Sequence, residues 1–177
     1  MVINGVALLA AQPIKAMLGY KATEHGVSYG LGEAGYDIRI KQEIRFSRYI
    51  DVDMQEPKQP MHHVVAPTPN GWWSWVEGKF CLASAMEEFQ MPNNLVGIVH
   101  DKSTWARRGL SVFNTVIEPG WNGFLTLELV YHGEEELIIP AGSGIAQVVF
   151  RQLAEPSTYE GKYQNQENKP VAARSSV

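Results

Sequence analysis

The sequence predicts one mainly β domain of barrel or jelly-roll type, on three observations. From Tyr36 onward, apolar and β-branched residues come in short runs separated by Gly, Pro and Asn. Only the N-terminal stretch carries a helical spacing of apolar residues. The chain has 177 residues and 45% hydrophobic content, enough for one sizeable core and too little to suggest two.

Each element follows from local pattern. Residues 3–18 (INGVALLAAQPIKAML) have apolar residues three to four apart and predict one or two short helices interrupted or started at Pro13. The runs YDIRIKQEIRF, KFCLASA, NLVGIVH, GLSVFNTVI, GFLTLELVYH, ELIIPAG and GIAQVVFRQL read as mostly antiparallel strands. Residues 51–78 have four prolines and weak periodicity, which predicts a long excursion with one hairpin. Its Trp72, Trp73 and Trp75 are expected to pack in a core or a subunit contact. From Arg151 onward large aliphatics almost vanish, so residues 151–177 form an arm on a domain of residues 1–150. That arm is expected to order only over a bound ligand.

Composition excludes several classes of function. A formal net charge of -4 lacks the broad basic footprint of a nucleic-acid binder. No apolar run approaches the ~20 residues of a membrane span, and the N-terminal segment lacks a basic stretch before its apolar residues. A single cysteine, Cys81, rules out an internal disulfide and a cysteine-based zinc cluster, and fits a reducing cytoplasm. The histidines, including the His62-His63 pair, have no metal-ligand spacing.

Two stretches could carry chemistry. In DKSTWARRGL (101–110), hydroxyls and cations surround one helical turn, with Ser103 as N-cap and Gly109 as stop. Such a turn could bind an anion, and an ordinary capped helix with a solvated basic face explains it equally well. In FLTLELVYH, the period of two puts Phe124, Thr126, Glu128 and Val130 on one face, and Leu125, Leu127, Leu129 and Tyr131 on the other. A glutamate among apolar neighbours is costly unless paired or protonated, and its pKa rises toward the acid/base range. By strand period alone, a glutamate on the solvent side of an edge strand is the plainer reading.

Four stretches in order resemble the dUTPase and dCTP deaminase superfamily: AGYDIRI (34–40), DKSTWARRG (101–109), TVIEPGWNG (115–123) and IPAGSGIAQVVF (139–150). The tail TYEGKYQNQ (158–166) is similar to that of dCTP deaminases and unlike the Gly-rich arm of dUTPases, and Glu128 stands where the deaminases have their catalytic glutamate. The resemblance implies a dUTPase-like distorted jelly-roll, a homotrimer with sites between subunits, and hydrolysis of dCTP to dUTP and ammonia. It implies Glu128 as general base and acid, with Ser103 and Arg107 orienting the water. Lys102, Ser103, Thr104 and Arg107 would bind the triphosphate. Glu118, Trp121, Thr126 and Leu127 would line the base and sugar pocket, and Tyr159, Lys162 and Gln166 would close over the phosphates. Mg²⁺ would arrive with the triphosphate and no protein metal site is expected; dTTP is the implied inhibitor. Zinc activation of the water needs further cysteines that this chain lacks. Glu118 departs from the usual Asp, and residues 110–117 look about two residues shorter than in many bacterial relatives. A dUTP pyrophosphatase, a bifunctional enzyme and a non-catalytic nucleotide-binding regulator stay open as alternatives.

Overall fold

The computed structural model describes residues 1–46, 67–68, 71–76 and 80–174. At the N-terminus, β1 (Val2–Ile3) leads into α1 (Gly5–Ala11). The helix buries Leu8 and ends at Gln12, whose left-handed backbone (φ 45°) stops it one residue before Pro13. It is therefore one short helix; Ile14 already bridges to Phe89 in extended form.

The next strands, β2 (Lys21–Glu24) and β3 (Val27–Leu31), pair through a two-residue turn at His25-Gly26. Both turn residues have positive φ (51° and 75°), the geometry that matches hairpin twist. This hairpin precedes the point where the sequence begins to look β, because β2 (KATE) is solvated and carries little apolar signal.

Then come β4 (Tyr36–Arg39), β5 (Glu43–Phe46), β6 (Pro67–Thr68), β7 (Gly71–Val76), β8 (Phe80–Gln90) and β9 (Leu95–Asp101). After α2 (Ser103–Ala106) follow β10 (Leu110–Val112), β11 (Val116–Ile117), β12 (Asn122–Tyr131), β13 (Leu137–Ile139) and β14 (Gly144–Gln152). Within the expected excursion, β6 and β7 pair antiparallel as a small hairpin, while β5 and β7 pair parallel. The side chains of Trp72, Trp73 and Trp75, the His62-His63 pair and the rest of residues 51–66 lie outside the described residues.

Among the described residues the strands form three sheets, ordered β11-β9-β14-β4-β3-β2 with β1 beside β14, then β10-β12-β8, and β13-β5-β7-β6. Buried side chains from all three sheets share one core, including Ile38, Ala83, Val99, Leu127, Leu129, Ile139, Val148 and Phe150. The alternation expected along β12 holds: Leu127, Leu129 and Tyr131 face the core while Glu128 and Val130 are half-buried on the other side. A register shift between Phe124 and Thr126 marks a bulge, which bends a strand and re-aims its side chains. No helix among the described residues is long and apolar enough to cross a membrane.

The polar tail docks on its own chain, which corrects the expectation that it has little but a ligand to fold on. Backbone bonds replace apolar burial. Leu153 N–H donates to Asn94 O (2.9 Å), Tyr159 N–H to Pro119 O (2.8 Å) and Asn165 N–H to Asn122 O (2.9 Å), and Gln166 O accepts from Phe124 N–H (3.1 Å). The Gln164 amide group donates to Gly120 O (2.9 Å) and accepts from Asn122 N–H (2.7 Å). Further along, Lys41 Nζ donates to both the carbonyl (2.8 Å) and side-chain oxygen (2.9 Å) of Asn168.

Candidate active site

The site grows from the turn Glu118-Pro119-Gly120-Trp121. Trp121 N–H donates back to Glu118 O (3.2 Å), Pro119 supplies the fixed φ of the second position, and Gly120 takes the positive φ (73°) that the third position of a type II turn demands. The turn aims Trp121 inward, where it is buried against Phe89 and its indole N–H donates to Tyr163 O (2.6 Å). The hairpin and the tail thus hold each other through one aromatic side chain.

Between them lies a cavity of about 460 Å³, the size of a small organic ligand. Glu118, Trp121, Thr126, Glu128, Tyr159 and Gln166 are on its wall, so one cavity gathers six of the twelve expected site residues. Phe80 and Leu82 from β8 and Val116 add an apolar side, and Leu82 is the direct cross-strand partner of Glu128. Burial pushes the Glu128 carboxyl above the ordinary carboxylate range, partly offset by its own backbone N–H. Thr126 Oγ1 accepts from Val171 N–H (3.1 Å) and makes a long bond to Gln166 Oε1 (3.4 Å), tying strand to tail beside the carboxylate.

The other expected residues sit differently. Ser103 and Arg107 are exposed and are not on the cavity wall, and Thr104 is half-buried near them. Lys102, not Ser103, is the N-cap, and no side-chain cap bond forms. With only four residues, α2 has too few aligned peptides for an appreciable dipole, so an anion there would rest on side chains and single N–H groups. Gly109 does stop the turn, with φ 86°. Lys102 Nζ lies 2.5 Å from Asp37 Oδ2. The Leu127 side chain is in the core, 1% exposed on the opposite face of β12 and off the cavity wall. Lys162 is exposed, off the cavity wall, and donates to Arg174 O (2.5 Å). Tyr163, Gln164, Phe80 and Leu82 were missed by sequence reasoning; the KYQNQ run signalled the first two, whereas the β8 pair is visible only once β8 and β12 are in register.

Among the described residues no group of three or more His, Cys, Asp or Glu could hold a metal ion. Cys81 is buried on β8, and burial pushes its thiol up to about 12.

Fold and site together define a β protein with a ligand-sized cavity between a hairpin and its own tail, and one half-buried carboxyl on the cavity wall. The chain belongs to the dCTP deaminase-like family, whose profile matches residues 9–153. It is 38% identical over 145 residues to the dCTP deaminase of Campylobacter lari, covering 79% of this chain and 78% of that one. A similar fold occurs in the 2'-deoxycytidine 5'-triphosphate deaminase of Agrobacterium tumefaciens (TM-score 0.52, 14% identity), across 88% of this chain and 50% of that one. The Staphylococcus bacteriophage 80alpha dUTPase shares it too (TM-score 0.51, 14% identity), across 84% and 94% of the two chains.

Proposed function

We propose that this protein is a dCTP deaminase, hydrolysing dCTP to dUTP and ammonia without a catalytic zinc. The observation that carries the proposal is Glu128: a half-buried carboxylate with a raised pKa, on the wall of a ligand-sized cavity, in a chain of the dCTP deaminase-like family. Its raised pKa makes it a stronger base than an exposed glutamate. Glu128 takes a proton from the water attacking C4, gives it to N3, and relays a second proton to the departing amine; the C4–N bond breaks and C4 keeps the oxygen. Pyrimidine and sugar lie against the Glu118–Trp121 turn and Thr126. Tyr159 and Gln166 close the tail over the nucleotide, with Lys162 near the phosphates, so residues 151–177 act as a covering arm on the β domain of residues 1–150.

Ser103, Thr104 and Arg107 hold the triphosphate and orient the water. These side chains lie off the wall that carries Glu128, which fits a homotrimer in which one protomer's turn completes its partner's site. Mg²⁺ fits as a companion of the triphosphate, bound through the phosphate oxygens. Bound there, it would neutralise phosphate charge. dTTP, which shares the sugar and triphosphate, is the expected inhibitor, and the cytoplasm the expected place of work.

The test is Glu128→Gln. It should lower ammonia release from dCTP by about 10²–10⁴-fold while dCTP binding, followed by calorimetry, persists. A variant with full turnover would sink the assignment. Pyrophosphatase activity is the second reading, which Glu118 in place of the usual Asp disfavours; dUMP and pyrophosphate among the products would select it.

A further inference from the structure

The tail reaches the cavity at two places. Gln166 is buried on its wall, and the chain returns to that wall with Val171, Ala172 and Ala173. Between them Glu167, Asn168 and Lys169 are exposed and Pro170 is buried. This turn closes on itself: Lys169 N–H donates to Glu167 O (2.8 Å), and Lys169 Nζ lies 2.5 Å from Glu167 Oε2. Those bonds shape the turn without fixing where it lands on the β domain.

Lys41, between β4 and β5, grips it from the domain. Its Nζ donates to the carbonyl oxygen of Asn168 (2.8 Å) and to Asn168 Oδ1 (2.9 Å). The backbone beneath that lysine is itself pinned. Lys41 N–H donates to Ser84 O (2.9 Å), and the next residue, the fully buried Gln42, donates to Ser84 Oγ (2.8 Å) and accepts from Ser84 N–H (2.8 Å). Ser84 stands directly across from Thr126 in the β8–β12 ladder, and Thr126 Oγ1 accepts from Val171 N–H (3.1 Å). The bonds thus close a ring from Thr126 through Ser84, Gln42, Lys41 and Asn168 to Val171 and back. Pro170, with its fixed φ, leaves little slack between Asn168 and Val171.

A chain terminus stays ordered only where it is tied down, and a wall closed in advance spares a ligand the cost of ordering it. We propose that Lys41 is a positioning residue for the nucleotide: by clamping Asn168 it holds Val171–Ala173 on the cavity wall, and it does not touch the ligand. Lys41 is off that wall, so its removal acts on affinity through the fraction of molecules whose wall is closed. The ligand's identity rests on the deaminase reading; the clamp itself does not.

The test compares the full-length wild type with Lys41→Met, Lys41→Arg and Asn168→Ala. The readouts are KM and kcat for ammonia release from dCTP, and amide hydrogen exchange of the nucleotide-free protein in the peptide carrying Val171–Ala173, with a β8 peptide as control. Lys41→Met should raise KM about threefold or more with a smaller change in kcat, and should speed exchange at Val171–Ala173 about threefold or more while β8 exchanges as in wild type. Lys41→Arg, whose guanidinium offers donors to the same two oxygens, should restore most of both, and Asn168→Ala, which keeps the carbonyl acceptor, should fall between. Wild-type exchange in Lys41→Met overturns the proposal. So does a raised KM without faster exchange, which marks a direct phosphate ligand, and so does faster exchange of β8 as well, which marks a fold-wide effect. A wild-type protein that releases no ammonia from dCTP defeats the deaminase reading alone, and the exchange rates then still decide whether the clamp holds the tail.

Discussion

Gly123→Ala should detach the tail while leaving the core folded. At Gly123 (φ 131°) an added Cβ would stand 2.5 Å from Gln166 N, 2.8 Å from Gln166 O and 3.1 Å from Gln166 Cα. All three are backbone atoms, so no rotamer change relieves the contact. Restoring van der Waals separation moves the tail by about 1 Å. That breaks the bonds from Phe124 N–H to Gln166 O (3.1 Å) and from Asn165 N–H to Asn122 O (2.9 Å). Two backbone bonds are worth about 1–3 kcal/mol, and holding a non-glycine residue in this backbone region adds about 1–3 kcal/mol. The loss is thus about 2–6 kcal/mol, and its lower bound alone raises the open population on the order of thirtyfold. Limited trypsin digestion reads this directly, because cleavage from a transiently open state follows that population, and Lys162, Lys169 and Arg174 lie in the tail. Cleavage there should accelerate on the order of thirtyfold or more, while far-UV circular dichroism stays unchanged. Equal digestion rates in wild type and variant would refute the reasoning.

Glu128→Gln should stabilise the fold at neutral pH even as it removes activity. The folded carboxyl titrates above its ordinary value of 4.5, so its proton-linked stability is full below the unfolded pKa and is lost as pH rises through the raised folded one. Denaturant midpoints should therefore favour the variant at pH 7 and converge with wild type at acid pH; a gain that is independent of pH would contradict this. Cys81, buried with its thiol pushed up to about 12, should resist a disulfide reagent in the native protein at pH 8 and react once denaturant is added. Rapid labelling of the folded chain would show that β8 opens.

Much of the site was legible because its signals are local. Pro119-Gly120 specifies a turn by backbone preference alone, and the period of two put Glu128 opposite Leu127 and Leu129 without knowledge of any neighbour. The hairpin β2–β3 escaped because its first strand is solvated on both faces. The cap falls on Lys102 and not on Ser103 because the cap is the last residue still extended: Lys102 has φ −92° and ψ 130°, and Ser103 is already the first helical residue. The tail looked homeless because composition records apolar burial, whereas its docking runs on backbone and amide hydrogen bonds.

By itself, then, the sequence determined the β class, the turn before β12, the face on which Glu128 stands and, through its motifs, the family. Tertiary structure decided everything that depends on pairs distant along the chain. Asp37 and Lys102 are 65 residues apart, and whether they pair depends on which strands become neighbours. The same holds for Gly123 and Gln166: only when the tail lies across the hairpin does a missing Cβ become the space that lets it close.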